Sequence, residues 1–327
     1  MSTGIKAATI PAGLLALTLT LAACNAASTG PSIATIAVTG IPSNNKAKVN
    51  STYDLNATAK DSGGVDIPGA TIAWTSSDSN VATVDNYGIV TIKKLSDTPV
   101  TITASTGGVT RSIQLDTYGL DLVMGTYNAS TYNGASTDVP KLHGIFVKVR
   151  RADGSSPNSF VYLEGPAGWQ LNFPAPANKT FRAAIHASAA VAGTYRASTT
   201  IDGEVYEDTS VLDVTPVLPA PTNVTVTAAS TTSVRATWSA VPGATTYYLQ
   251  VYDCTGNLNS RLACTLLTSA NVGGATQGTL KNLTLTAGAG KTYTVGVRAF
   301  TLNPDAVDVP TPTTYLVSFA GKDFQLP

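Results

Sequence analysis

Apolar side chains recur at every second position through most of this chain, with Thr and Ser between them, and this spacing limits the possible folds more tightly than any other feature. Ile36 and Val38, Ile72 and Trp74, Val90 and Ile92, and Val100, Ile102 and Ala104 stand two apart. The pattern returns at Ile145, Val147 and Val149, at Val234, Ala236 and Trp238, at Tyr247, Leu249 and Val251, and at Tyr293, Val295, Val297 and Ala299. Successive side chains of a strand point to opposite faces, so period two with one apolar side is what half-buried antiparallel strands require. Glycine-rich turns such as Ser62-Gly63-Gly64 and Thr106-Gly107-Gly108 divide the strands. The leucine-rich periodicity that helices need is missing after residue 24, and an all-β chain is expected.

Ahead of the strands, one positive charge at Lys6 precedes an apolar run from Ala7 to Ala22, which is too short and too weakly flanked to span a membrane. The run closes on Leu21-Ala22-Ala23-Cys24, which resembles the lipobox of bacterial lipoproteins. That resemblance implies cleavage after residue 23, diacylation of the Cys24 thiol and attachment to a membrane. Asn25, where inner-membrane lipoproteins carry an acidic residue, implies transfer to the outer membrane or cell surface. Each buried methylene contributes about 0.8 kcal/mol, so two or three chains hold permanently where one does not. Residues 24–32 are small and polar, and such a tether reaches about 16 Å on average.

The chain carries 20 basic and 20 acidic residues, and its 12% charged residues compare with about 25% in an average domain. No basic excess is present to neutralise a phosphate backbone, so nucleic acid is not an expected partner. Of the three cysteines, Cys24 is assigned to lipid; this leaves Cys254 and Cys264 as a pair in a compartment where disulfides persist. On the entropy model, closing a loop that small stabilises by about 2–3 kcal/mol.

Two stretches resemble known families. Ile72-Ala73-Trp74-Thr75-Ser76-Ser77-Asp78-Ser79-Asn80-Val81-Ala82-Thr83-Val84-Asp85, then Gly88-Ile89-Val90-Thr91 and Val100-Thr101-Ile102-Thr103-Ala104, resemble the bacterial immunoglobulin-like group 2 domain. This implies a small β-sandwich with Trp74 and Val84 in its core. Pro219-Ala220-Pro221, Val224, Val226, the Trp238 strand and Tyr293 shortly after Leu283 and Leu285 resemble a fibronectin type III domain. There Trp238 is the expected core indole and Tyr293 the expected tyrosine corner. That family has no cysteines where Cys254 and Cys264 stand, which marks a hairpin stapled at its base.

The section between them matches no recognised family, yet it is patterned the same way, with Tyr195 to Ile201 and Glu204 to Val214 joined by Asp202-Gly203, a pair suited to a primed hairpin turn. The expected fold is three tandem immunoglobulin-like β-sandwiches, set out as a rod, after a lipoprotein signal peptide. The divisions are a signal peptide at 1–23, a tether at 24–32, a group 2 domain at 33–116, an unassigned sandwich at 117–216 and a fibronectin type III domain at 217–327. A proline-rich stretch from Thr215 to Pro221 is expected to act as a stiff link.

Chemistry has few candidates here. The two histidines, His143 and His186, occur in no recognised catalytic motif and read as surface or satisfied structural residues. Asp202, Glu204, Glu207 and Asp208 flank the predicted hairpin turn, where carboxylates are usually solvated; no calcium-loop string accompanies them, and neither metal nor cofactor is expected. Trp169 follows a Gly-Pro-Ala-Gly turn rather than standing in an alternating strand. With Tyr127, Tyr132 and Tyr162 of the same section, it is the candidate contact for a sugar ring or a protein. The leading functional expectation is a lipid-anchored envelope protein with a structural, adhesive or scaffold role toward other surface proteins, without catalytic residues. Polysaccharide binding by the middle section is the first alternative. The second is a glycoside hydrolase whose carboxylate pair would be sought at Glu164, Asp202 and Glu204.

Overall fold

The computed structural model describes residues 32–327 except 134, 137–140, 156, 158, 175–180, 257–263, 307–310, 313 and 327, with the backbone alone at 129–132, 135, 136 and 187. Cys24, the signal segment and the tether up to residue 31 lie outside the described residues. Among the described residues, regular structure is β strand apart from two three-residue 3-10 turns.

The first sandwich is assembled from short strands. Strands β1 (Thr35–Thr39) and β4 (Asn56–Lys60) form an antiparallel pair, and β3 (Thr52–Asp54), β7 (Ile89–Ile92) and β6 (Ala82–Val84) form a second sheet. A third layer runs from β5 (Ala73–Ser76) through β8 (Val100–Thr106) to β9 (Val109–Tyr132), with β2 (Lys46–Lys48) laid parallel along β9. The alternating residues Val90, Ile92, Val100 and Ile102 are buried in its core, while Trp74 and Val84 sit half-buried at the rim.

The second sandwich takes the far half of β9, the short β10 (Ala135–Ser136), β11 (Leu142–Arg150) and β14 (Phe181–Ala189) for one sheet. Its other sheet has the order β13 (Gln170–Pro174), β12 (Phe160–Glu164), β15 (Gly193–Ile201), β16 (Glu204–Leu212). The β15–β16 hairpin turns at Asp202 and Gly203, both at positive φ, as the sequence predicts for a primed turn. Ile145, Val147 and Val149 meet Val161, Leu163 and Tyr195 in its core.

In the third sandwich, β17 (Thr225–Ala229), β18 (Ser233–Thr237) and β21 (Gln277–Lys281) face β19 (Thr246–Asp253), β20 (Thr265–Gly273), β22 (Tyr293–Phe300) and β23 (Leu316–Phe324). Trp238 is buried in that core. The Tyr293 hydroxyl accepts from the Thr286 amide at 2.9 Å and lies 3.3 Å from the Thr286 carbonyl, which is the expected tyrosine corner. Cys254 and Cys264 are disulfide-bonded with Cα atoms 4.5 Å apart, just beyond the paired ends of β19 and β20 at Asp253 and Thr265.

The three sandwiches are joined by shared strands. Strand β9 runs for 24 residues, roughly 80 Å at strand rise, and serves two sandwiches in turn. Gly119, at φ +131°, marks the change of partner; a Cβ there would lie 3.2 Å from Val49 Cβ. Sideways, β9 pairs in parallel with β23, Leu316 opposite Thr126, so the second and third sandwiches share one sheet in the order β14-β11-β9-β23-β22-β19-β20. The Thr215–Pro221 stretch lies along this seam, where Thr126 Oγ1 donates to the Pro216 carbonyl at 3.1 Å and Ser318 Oγ to that of Pro219 at 2.7 Å. The proline-rich link is thus held to the seam at Pro216 and Pro219.

Above the seam, Gly125 and Gly144 stand opposite each other in the β9–β11 register and leave a pit filled by the Tyr315 backbone and ring. Around it, Tyr127, Phe146, Phe181, Phe300 and Phe319 complete a fourth apolar core joining the two sandwiches. A Cβ on Gly125 would sit 1.6 Å from the Tyr315 carbonyl oxygen. Gly125→Ala is therefore expected to destabilise the protein by about 1–3 kcal/mol, measured as a fall in the urea midpoint. Gly274→Ala, whose added methyl would meet only the Thr245 carbonyl oxygen at 3.8 Å, is expected to stay within about 0.5 kcal/mol of the parent. Equal midpoints for the two variants would show that Tyr315 is not seated on β9.

Candidate functional site

Both histidines and the singled-out tryptophan meet at one end of the second sandwich. Continuing the parity of Ile145, Val147 and Val149 down β11 places His143 on the core face, where it is fully buried. His186 lies opposite it on β14. Trp169 enters from the turn before β13, and Tyr195, also fully buried, rises from β15. The His143 ring stacks on Trp169 at 4.6 Å between centroids, and Tyr195 meets both rings edge-on at 5.4 Å.

Hydrogen bonds converge on Ser188. Trp169 Nε1 donates to its Oγ at 2.9 Å, and the Nδ1 atoms of His143 and His186 lie 3.0 and 2.8 Å from the same oxygen. The Ser188 amide donates to His186 Nδ1 at 3.2 Å, so that nitrogen carries a lone pair. The Tyr195 hydroxyl donates to the Val191 carbonyl at 2.9 Å and therefore accepts from His143 Nε2 at 2.6 Å. His143 Nδ1 is then also a lone pair, and one serine proton is shared between two imidazoles. A proton on His143 would complete the network by letting Nδ1 donate to the Ser188 carbonyl, 3.2 Å away. Burial opposes that and holds the imidazole below its ordinary value, with the Ser188 bond acting the other way and His186 adding to the lowering.

A serine between two imidazoles has the distances of a nucleophile and its base, but here both partners close the sandwich end and no carboxylate orients either ring among the described hydrogen bonds. Among the described residues, no group of three or more His, Cys, Asp or Glu is placed to hold a metal ion.

The three aromatic candidates whose side chains are described, Trp169, Tyr127 and Tyr162, do not converge. Trp169 is half-buried, with one face covered by His143. Tyr127 is only 7% exposed and lies in the seam core, its ring 5.8 Å from the Arg298 guanidinium. Tyr162, 58% exposed, and Phe160, 54% exposed, stand side by side on the outer face of β12. The side chain of Tyr132 lies outside the described residues.

Part of the acidic group ties the first sandwich to the second, through Glu204 with Lys48 and Asp208 with Asn50, while the carboxylates of Asp202 and Glu207 stay exposed to solvent. Lys48 Nζ reaches Glu204 Oε1 at 2.7 Å, Asn50 Nδ2 donates to the Glu207 carbonyl at 3.0 Å, and the Leu122 amide donates to Asp208 Oδ2 at 2.8 Å. Asp202 pairs with Arg151, and Glu164 lies 4.0 Å from Arg196. Glu164, Asp202 and Glu204 thus each face a different cation.

No protein-family model matches the sequence, and no curated protein matches it. Among solved structures, the chain is similar to a two-domain fibronectin type III segment of chicken tenascin, at 14% identity over 58% of this chain and 95% of that one, with a TM-score of 0.23. Fibronectin domains 1–3 of chicken CNTN1 align at 13% identity over 88% of this chain and 98% of that one, with a TM-score of 0.23. Domains 5–6 of the S-layer protein SbsC align at 14% identity over 57% of this chain and all of that one, with a TM-score of 0.24.

A lowered imidazole value fixes the sign of a pH effect. As pH falls below about 6.5 the unfolded chain takes up the His143 proton before the folded one does, so stability present above that pH is lost on acidification. His143→Gln is expected to remove this loss, seen as a smaller fall in melting temperature than the parent shows between pH 7.5 and 5.5. An unchanged difference between the two pH values would exclude His143 as its source.

Proposed function

We propose that this chain is a lipid-anchored protein of the bacterial envelope that presents three fused immunoglobulin-like sandwiches as a structural or adhesive scaffold for other surface proteins. The observation that carries this reading is the shared strand: β9 belongs to two sandwiches and pairs with β23 of the third, so the modules offer surfaces at fixed separations. Fixed geometry suits a scaffold because little conformational entropy is lost when a partner spans two modules. Anchoring rests on the lipobox resemblance at Leu21-Ala22-Ala23-Cys24.

Cys24→Ala is expected to move the protein from the membrane fraction to the soluble one, and to abolish acylation in mass spectra of its mature N-terminus. A variant that stays with the membrane as fully as the parent would overturn the anchor. Crosslinking on intact cells is expected to capture envelope proteins with the parent and to capture fewer when the seam is loosened by Tyr315→Ala. Capture that ignores the seam would overturn the scaffold reading.

A second reading, polysaccharide binding through the middle sandwich, is favoured by the exposed pair Phe160 and Tyr162 on the outer face of β12. Retention on envelope glycans that falls at least several-fold in Tyr162→Ala would support it, and equal retention would remove that face from consideration.

A further inference from the structure

The point where all three sandwiches touch contains a buried carboxylate that no function above uses. Asp121 projects from β9 and is 1% exposed. Its Oδ2 accepts from the Leu95 amide of the first sandwich at 2.9 Å and from the Thr311 hydroxyl of the third. Its Oδ1 is buried and has no hydrogen-bond partner. Buried carboxylates normally have both oxygens satisfied, because an ionised group taken out of water without compensation is costly.

Among the described ion pairs, none involves Asp121. Lys148 stands directly opposite on β11 and is fully buried, but its ammonium pairs with Asp97, as does the Arg150 guanidinium. From the 93–98 loop, Lys94 contributes a favourable charge, and from β16 Asp208 contributes an unfavourable one. Among the described residues of the 311 segment, the contact with Asp121 is the Thr311 hydroxyl and carries no charge. The same loop is further held by the Ser96 amide donating to Thr117 Oγ1 at 2.7 Å and by Arg150 donating to the Ser96 carbonyl. A cavity of about 650 Å³, lined in part by Lys94, Ser96, Asp97 and Thr311, borders this loop and gives water a short way in if it lifts.

We propose that Asp121 is a proton-operated latch: its carboxyl, sealed between the 93–98 loop of the first sandwich and the 311 segment of the third, holds them shut when protonated and lets them part when ionised. Protonation removes the uncompensated charge at Oδ1 and leaves Oδ2 free to keep both of its bonds. Ionisation favours any state in which water reaches Oδ1. The carboxyl is pushed up to about 6, chiefly by burial, against the lowering effect of the Thr311 and Leu95 bonds. A raised carboxyl value means that the closed junction binds its proton more tightly than an open, hydrated one. Closure therefore strengthens as pH falls through about 6 toward the ordinary carboxylate range, and weakens above it.

The Leu95 amide reports the latch directly. In the full mature chain, hydrogen exchange corrected for intrinsic rate is expected to show protection of Leu95 about tenfold greater at pH 5 than at pH 7.5, with the Trp238 amide as a reference outside the junction. Asp121→Asn, neutral at both pH values, is expected to show high protection that does not change with pH. Thr311→Val is expected to lower Leu95 protection at both. Parent protection that stays flat or falls on acidification would overturn the proposal, as would an Asn variant that still follows pH or a Val variant indistinguishable from the parent. Because the parent's own pH series decides the matter, failure of either variant to fold leaves the test intact.

Discussion

One strand carries hydrogen bonds for the whole assembly. The first half of β9 is laddered to β8 and β2, its second half to β11 on one side and β23 on the other, so a single backbone segment is structural for all three sandwiches. A linker between tandem domains ordinarily allows relative motion, because contacts across it are few and polar. Here the connection between the first two sandwiches is an uninterrupted strand, and the one between the second and third is a row of backbone hydrogen bonds backed by its own apolar core. Loosening any of these would leave backbone donors and acceptors unpaired, and these are expensive to expose in a nonpolar setting.

The parallel β9–β23 pairing brings together residues some 190 apart in sequence, and pairing over that distance must offset a large loop-closure entropy. Two features supply what is needed. The Gly125–Gly144 pit removes the Cβ atoms that would hold Tyr315 away, and the aromatic side chains around it exclude water from the seam. Truncating a fully buried aromatic such as Phe146 typically costs about 3–5 kcal/mol, which is comparable with much of a domain's net stability. The seam therefore belongs to the fold itself and is more than a docking contact.

Parity along strands made much of the fold legible in the sequence. Residues 145, 147 and 149, 234, 236 and 238, and 293, 295, 297 and 299 are buried on the faces that alternation assigns them. The Asp202-Gly203 turn, the Tyr293 corner and the Cys254–Cys264 bridge follow from local chemistry and appear where that chemistry puts them. What local patterns could not show is burial on the second face. In β11, Phe146 and Lys148 lie opposite the expected core residues yet are fully buried, because another sandwich covers that face. The polar site was hidden for a related reason: His143 shares the parity of Ile145, but only the pairing of β11 with β14 brings His186 and Ser188 to it.

Two buried titratable groups oppose each other. His143 is kept neutral by burial and costs stability on acidification, whereas Asp121 is pushed toward its neutral form by the same physical cause and gains stability over an overlapping range. Desolvation disfavours charge whatever its sign, so a base and an acid buried in one protein give opposite slopes of stability against pH. A global unfolding curve sums the two and flattens, which is why local reporters at each group are more informative than melting temperature alone. The two sites also lie at different places, one at the closed end of a single sandwich and the other where three meet. Mild acid thus weakens the inside of one module while tightening the junction between modules.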